Sequence, residues 1–255
     1  MRQPYPILEY DPAPHGIIEI DLVEDAEEGM PEHCVICSFR EVIHQYLEQG
    51  LLTPFHTIGT EYVGYPVYLY KFGDHTVAFL CQGMGDALAA YLLEETIALG
   101  GRKFIACSVA GTLDPEIAMG HLMLPTAAVR DEGASYHYMP PSREVAPTPA
   151  ALAAVEHVLQ RHNVDYIRTK TWTTAAFFRE TPAKVALRKE EGCLAVEMET
   201  ASMFAFARFR NVELAQILYS GDAVVPDHWD PRGWWNNRTV RELLIDLAAE
   251  ACLQL

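Results

Sequence analysis

The run Ala195-Val196-Glu197-Met198-Glu199-Thr200-Ala201 constrains the fold of this chain more than any other stretch. A short apolar segment ends in two carboxylates flanking a methionine and passes at once into an Ala-rich helical pattern over residues 201–208. A buried strand handing directly to a helix is the unit of α/β architecture, and in such folds ligands collect beyond the carboxyl ends of the strands. Two readings of the carboxylates stand side by side. Acid at a helix N-terminus is favoured by the helix dipole, so either glutamate could be a cap. The Glu-Met-Glu could instead present acceptors to the hydroxyls of a ligand, with the thioether of Met198 lying against it. A cap accounts for one glutamate but not for both arriving at the same point, and the residues alone leave both readings open.

Composition sets the limits. A chain of 255 residues, half of them hydrophobic, is long enough for one sizeable core. Its net charge of −16, with only 19 basic residues, argues against nucleic acid or an anionic membrane surface as partner, while leaving room for a local anion site. No apolar run approaches the roughly 20 residues that span a bilayer. The opening Met1-Arg2-Gln3-Pro4-Tyr5-Pro6 has no signal-type apolar region, so a cytoplasmic address is expected. The cysteines at 34, 37, 81, 107, 193 and 252 are scattered and sit mostly in apolar runs. Cys34-Val35-Ile36-Cys37 has the C-x-x-C form, but its apolar interior reads as a buried strand and no second pair stands at zinc spacing. Reduced core cysteines and no metal are expected.

Residues 1–32, rich in proline and acid (Asp11-Pro12-Ala13-Pro14-His15, then Glu24-Asp25-Ala26-Glu27-Glu28), read as an irregular arm, and residues 33–255 as one domain. His33 to Cys37 is a strand, Ser38 a candidate cap, and Phe39 to Glu48 a helix, an arrangement that makes a natural anion site. Strands follow at 65–70 and 75–81. The Gln82-Gly83-Met84-Gly85-Asp86 turn then opens a helix over 87–99, which Gly100-Gly101 end. Lys103 to Leu113 is a buried strand closing in a small-residue turn, with Ser108 and Gly111 at its end. Residues 150–162 are an amphipathic helix and 166–174 an alternating strand that delivers Phe177-Phe178. Glu213 to Ser220 is a strand leading to Gly221-Asp222. Trp229, Trp234 and Trp235 form an aromatic loop suited to a lid or an interface, and a closing amphipathic helix runs from about Trp235.

The Val196-Glu197-Met198-Glu199 motif and its surroundings resemble the purine nucleoside phosphorylase/uridine phosphorylase family, which includes the methylthioadenosine/adenosylhomocysteine nucleosidases. The resemblance runs from about Cys34 to about Val225. In the purine-cleaving members an Asp follows the first Glu of the motif by 25 positions, and 197 + 25 is Asp222. Phe177, 20 residues before Glu197, holds the place of the family's base-stacking Phe. Arg130-Asp131-Glu132-Gly133-Ala134-Ser135-Tyr136-His137 is similar to a segment of uridine phosphorylases. The resemblance implies a phosphorylase-like three-layer fold, with a central mixed, partly barrel-closed sheet flanked by helices. It implies a site in which Glu199, Met198 and Glu197 hold ribose and Phe177 and Phe178 hold the base. Asp222 would protonate the leaving base, and His15 would reach the sugar pocket of an adjacent subunit. A homo-oligomer is implied, dimer-based or a trimer of dimers.

The departures bear on the nucleophile. The family's three phosphate arginines fall on Glu41, Thr57 and Ala106. Burying a phosphate dianion without cations is costly. A rewired phosphate site would draw on Ser38, Arg40, Ser108 and Gly111. The nucleosidases instead use a Glu on this loop to position water; that place falls on Val42, with Glu41 next to it. The uracil-binding Gln and Arg of uridine phosphorylases fall on Thr181 and Ala183. The expectation is cleavage of a nucleoside N-glycosidic bond, purine-type favoured, in purine salvage, with inorganic phosphate as the co-substrate of a rewired site and no other cofactor. Hydrolysis by water is the alternative, and a non-catalytic nucleoside-binding or storage protein a third reading.

Overall fold

The computed structural model describes residues 2–18, 28–81 and 83–255. Most of the acidic stretch at 24–28 therefore lies outside the described residues. A 3-10 turn occupies Pro6–Leu8. The elements then run β1 (His33–Cys37), α1 (Arg40–Glu48), β2 (Leu52–Gly59), β3 (Gly64–Phe72), β4 (His75–Cys81) and α2 (Asp86–Leu99). Next come β5 (Lys103–Thr112), β6 (Leu122–Asp131), α3 (Ser135–Tyr138), β7 (Glu144–Val145), α4 (Pro149–Arg161) and β8 (Tyr166–Thr174). The chain closes with α5 (Pro182–Glu190), β9 (Cys193–Glu197), α6 (Thr200–Arg210), β10 (Glu213–Val225), β11 (His228–Asp230) and α7 (Arg238–Cys252).

The central strands carry unbroken apolar runs, Cys34 to Cys37 on β1 and Phe104 to Cys107 on β5, because both their faces are covered. On β1, Cys34 and Ile36 enter one core while Val35 and Cys37 enter another; on β5, Phe104 and Ala106 are divided in the same way from Ile105 and Cys107. Successive strand residues point to opposite faces, so a strand sandwiched between helices cannot alternate in polarity. One core is closed by α4 and α7, through Val155, Val158, Leu244 and Ala248, the other by α2 and α6, through Leu92, Leu93, Phe204 and Phe206. The same geometry places Cys34 and Cys37 on opposite faces of the sheet, where they share no site.

All eleven strands form one mixed sheet in the order β11-β10-β6-β8-β9-β5-β1-β4-β3-β2, with β7 on β6 and an additional pairing of β10 with β5. That last pairing closes a ring of strands, β5-β10-β6-β8-β9 and back to β5. The result is the mixed sheet between helices expected above. Four local details differ from the sequence reading. Ser38 is no cap: its hydroxyl meets that of Ser108 at 3.1 Å across the β1–β5 pair, and α1 begins at Arg40 without a side-chain cap. Helix α5 was not foreseen; Thr181 caps it, accepting from the Lys184 N–H, and Pro182 sets its first turn. Strand β10 runs past Ser220 to Val225, with a register irregularity between Ser220 and Ala223 that contains Asp222. Order also begins before residue 33: Met30 packs on the α2–α6 core, and the Glu32 carbonyl accepts from the N–H groups of Arg102 and Lys103.

Candidate active site

The final residues of β5, β9 and β10 surround a cavity of about 620 Å³. Each reaches it for a local reason. The bulge in β10 displaces Gly221-Asp222 from the ladder, and such irregularities re-aim a side chain out of its strand's alternation. Gly111 lies beneath: a Cβ there would stand 3.0 Å from Val196 Cγ1 and from Val224 Cγ2, and 3.4 Å from Asp222 Oδ1. A bare backbone at 111 thus leaves room for the carboxylate. The Trp229 indole N–H donates to Asp222 Oδ2 at 2.6 Å across the β10–β11 hairpin, which ties the aromatic loop to the acid.

The two glutamates of the motif have different surroundings. Glu197 lines the cavity, yet both its oxygens are engaged within the protein. Oε2 accepts from the N–H groups of Glu199 and Thr200, each at 2.7 Å, and Oε1 from the Thr171 and Thr173 hydroxyls at 3.2 and 2.6 Å. It caps α6 and ties β9 to β8. Met198 also lines the cavity. Glu199 is buried at the start of α6, beside the cavity wall rather than in it, and its Oε1 accepts the Gly85 N–H at 2.7 Å. Gly83 and Gly85 take φ of +74° and +90°, a backbone reserved in practice for glycine, which brings this turn against Glu199 and puts Met84 on the cavity rim.

Phe177 and Phe178 line the opposite wall, their ring centroids 3.9 Å apart, with Phe178 87% exposed. The 3-10 turn that carries them ends at Glu180, whose N–H donates to the Phe177 carbonyl. Glu180 enters the cavity beside Asp222. Burial, together with the charge of Asp222, pushes its carboxyl up to about 7. The sequence held no signal for Glu180, which belongs to neither the aromatic pair nor the Glu-Met-Glu motif. Trp229 and Trp234 of the foreseen aromatic loop complete the wall. Among the described lining residues there are three carboxyls, Glu180, Glu197 and Asp222, and no cation.

The candidate nucleophile loop lies behind this wall. Ser38, Arg40, Glu41 and Ser108 do not line the cavity, although Ser108 precedes Val109, which does. Glu41 is ion-paired to Arg241 of α7. The buried Arg241 guanidinium has all its edges occupied: Nε donates to the Tyr219 hydroxyl at 2.9 Å, Nη2 to the Trp234 carbonyl at 3.2 Å, and Nη1 to Glu41. It also lies over the Phe39 ring, 5.1 Å from the centroid. The pair with Glu41 holds its charge state above the ordinary range of arginine against the opposing effect of burial. Arg241 escaped the sequence reading, though one signal existed: it shares the apolar face of α7 with Leu244, Ile245 and Ala248. His15 sits on an exposed part of the arm and does not reach the cavity of its own chain.

The helix-covered mixed sheet, its strand ends opening on an aromatic, carboxyl-lined cavity, is an α/β fold of the phosphorylase-like class. The chain belongs to the Phosphorylase superfamily, whose sequence model matches residues 32–253. It is similar to the guanosine phosphorylase of Halorubrum lacusprofundi, 27% identical over 56% of this chain and 60% of that protein. It is also similar to the uridine phosphorylase of Treponema pallidum, 28% identical over 64% and 67%. This chain thus spans about three fifths to two thirds of the length of these two relatives. Among solved structures, the AMP nucleosidase of Bacteroides thetaiotaomicron superposes with a TM-score of 0.67 at 23% identity, covering 86% of each chain. These names differ in both base and reaction, so the likeness shows the family and leaves base and reaction open. No helix among the described residues is long and apolar enough to cross a membrane.

Proposed function

We propose that the protein cleaves the N-glycosidic bond of a purine-type nucleoside. The observation that carries this reading is the meeting of Asp222, Met198 and Phe177 in one cavity, with Glu199 at its edge. A planar base lies against Phe177 and Phe178, where aromatic contact adds to area burial. The ribose lies over Met198, its hydroxyls toward Glu199. Asp222 is the carboxyl around which proton transfer to the departing base takes place, and the Trp229 N–H fixes its orientation. An oxocarbenium-like ribosyl group is stabilised by a cavity with three carboxyls and no lining cation.

The same distribution of charge favours water over phosphate. A dianion entering here meets carboxylates, and the buried guanidinium that reaches the nucleophile loop, Arg241 of α7, is already satisfied by Glu41. Glu41, set by its ion pair with Arg241, stands outside the cavity lining and is the group proposed to order the attacking water from that side. Phosphorolysis is the second reading; it draws on the Ser38–Ser108 hydroxyl pair and on Arg40 at the first turn of α1. The site is completed by a second copy of the chain, a proposal supported by the exposed apolar rim of Met84, Phe178 and Trp229.

The test is a panel of purine and pyrimidine nucleosides, following release of free base, with Asp222→Asn as control. Release from purine nucleosides by the wild type, lost in the variant, is the expected result. Tight nucleoside binding without release by either protein would make this a binding or storage protein instead.

A further inference from the structure

The cavity holds a second carboxyl facing the base, and nothing in the family motifs accounts for it. Glu180 is brought there by the 3-10 turn of Phe177 to Arg179 and is kept off α5 by Thr181-Pro182. It shares the base end of the cavity with Asp222, Phe177, Phe178 and Trp229. We propose that Glu180 is a catalytic carboxyl that holds the proton needed by the leaving base, with Asp222 as its ionised partner and the edge of the base bridging the two. The inference rests on the proposed glycosidic cleavage and deepens it.

Charge requires that one carboxyl here carry a proton. Asp222 faces Glu180 from β10 and receives the Trp229 N–H, a donor that suits a carboxylate oxygen. Glu197, from β9, already accepts four hydrogen bonds. Lys184 of α5, four residues from Glu180, is drawn away into an ion pair with Asp131. Arg179, on the turn itself, is exposed and does not line the cavity. Glu180 therefore meets apolar walls and the carboxyl of Asp222, with no cation among the lining residues to keep it ionised. In the step itself the Glu180 O–H bond breaks and an N–H bond forms on a ring nitrogen of the base. The electron pair of the C1′–N bond leaves with the base, which departs neutral. Water adds its oxygen to C1′, and the proton it releases restores that of the pair.

The experiment compares wild type, Glu180→Gln and Glu180→Asp on a purine nucleoside and on p-nitrophenyl β-D-riboside, whose leaving group needs no protonation. For the wild type, kcat/KM on the nucleoside falls as pH rises through about 7, where the proton is lost. Glu180→Gln keeps the shape without the proton: it should lose about 10²–10³-fold on the nucleoside and lack that alkaline limb, while the nitrophenyl riboside changes only a few-fold. Glu180→Asp, still an acid, should recover part of the nucleoside activity. Equal loss on both substrates, no loss on either, or an unchanged limb in Glu180→Gln would overturn the role of Glu180 while leaving glycosidic cleavage standing. A wild type that cleaves neither substrate would overturn both.

Discussion

Asp222 and Arg241 show how differently two candidate site residues can be written into a sequence. Asp222 was legible because its distance from the Glu-Met-Glu motif is set by α6 and β10, two rigid elements of fixed length. Arg241 pairs with a residue 200 positions away and belongs to no motif. Asp222→Asn should keep nucleoside binding and lose about 10²–10⁴-fold in kcat, because the amide is isosteric but carries no charge and takes no part in proton transfer to the base. Single-turnover kinetics with a separate binding measurement checks the split. Arg241→Met removes the partner that holds Glu41 and the donor to the Tyr219 hydroxyl, leaving the Trp234 carbonyl with only its bond from Tyr219. A stability loss of about 1–3 kcal/mol in urea denaturation is expected, with a fall in kcat larger than the rise in KM. Unchanged kcat in a folded variant would separate this ion pair from the nucleophile.

At the scale of elements, the strand-into-helix junctions were readable and their exact roles were not. The sequence presented Glu197 and Glu199 as equivalent acids; only the pairing of β9 with β8 shows that the first is the helix cap and interstrand tie. Likewise Ser38 looks like a cap until β5 places Ser108 opposite it. Both are cases in which a tertiary partner, invisible to local pattern, decides what a polar side chain does. Glu197→Gln should therefore act chiefly on stability, costing about 1–3 kcal/mol by denaturant midpoint, since an amide cannot accept on both oxygens. The β10 bulge makes a sharper demand. A Cβ on Gly221 would stand 2.5 Å from Val109 Cγ2 and 3.2 Å from Trp234 Cβ. Gly221→Ala should destabilise by about 1–3 kcal/mol and displace Asp222, so activity falls along with the melting temperature. Normal stability and activity would show that the bulge is not held as tightly as the packing indicates.

For the whole molecule, the layered architecture followed from apolar runs that lack alternation, which force helices onto both faces of the sheet. The closure of a strand ring through β5–β10 came from the family resemblance alone and not from the pattern of the residues, because strand order is set by contacts far apart in sequence. The base end of the cavity is rimmed by aromatic surface, with Phe178 87% and Trp229 61% exposed. A second copy covering it predicts a dimer or larger assembly by light scattering, and Phe178→Asp should shift it toward monomer and raise KM. A strict monomer with full activity would remove the shared site. The central claim is glycosidic cleavage with water as the nucleophile, and its most direct measurement is the fate of C1′. Turnover of a purine nucleoside in ¹⁸O-enriched water, with and without inorganic phosphate, should yield free ribose carrying the label at C1′, at a rate indifferent to phosphate. Unlabelled ribose 1-phosphate, formed only when phosphate is present, would contradict it.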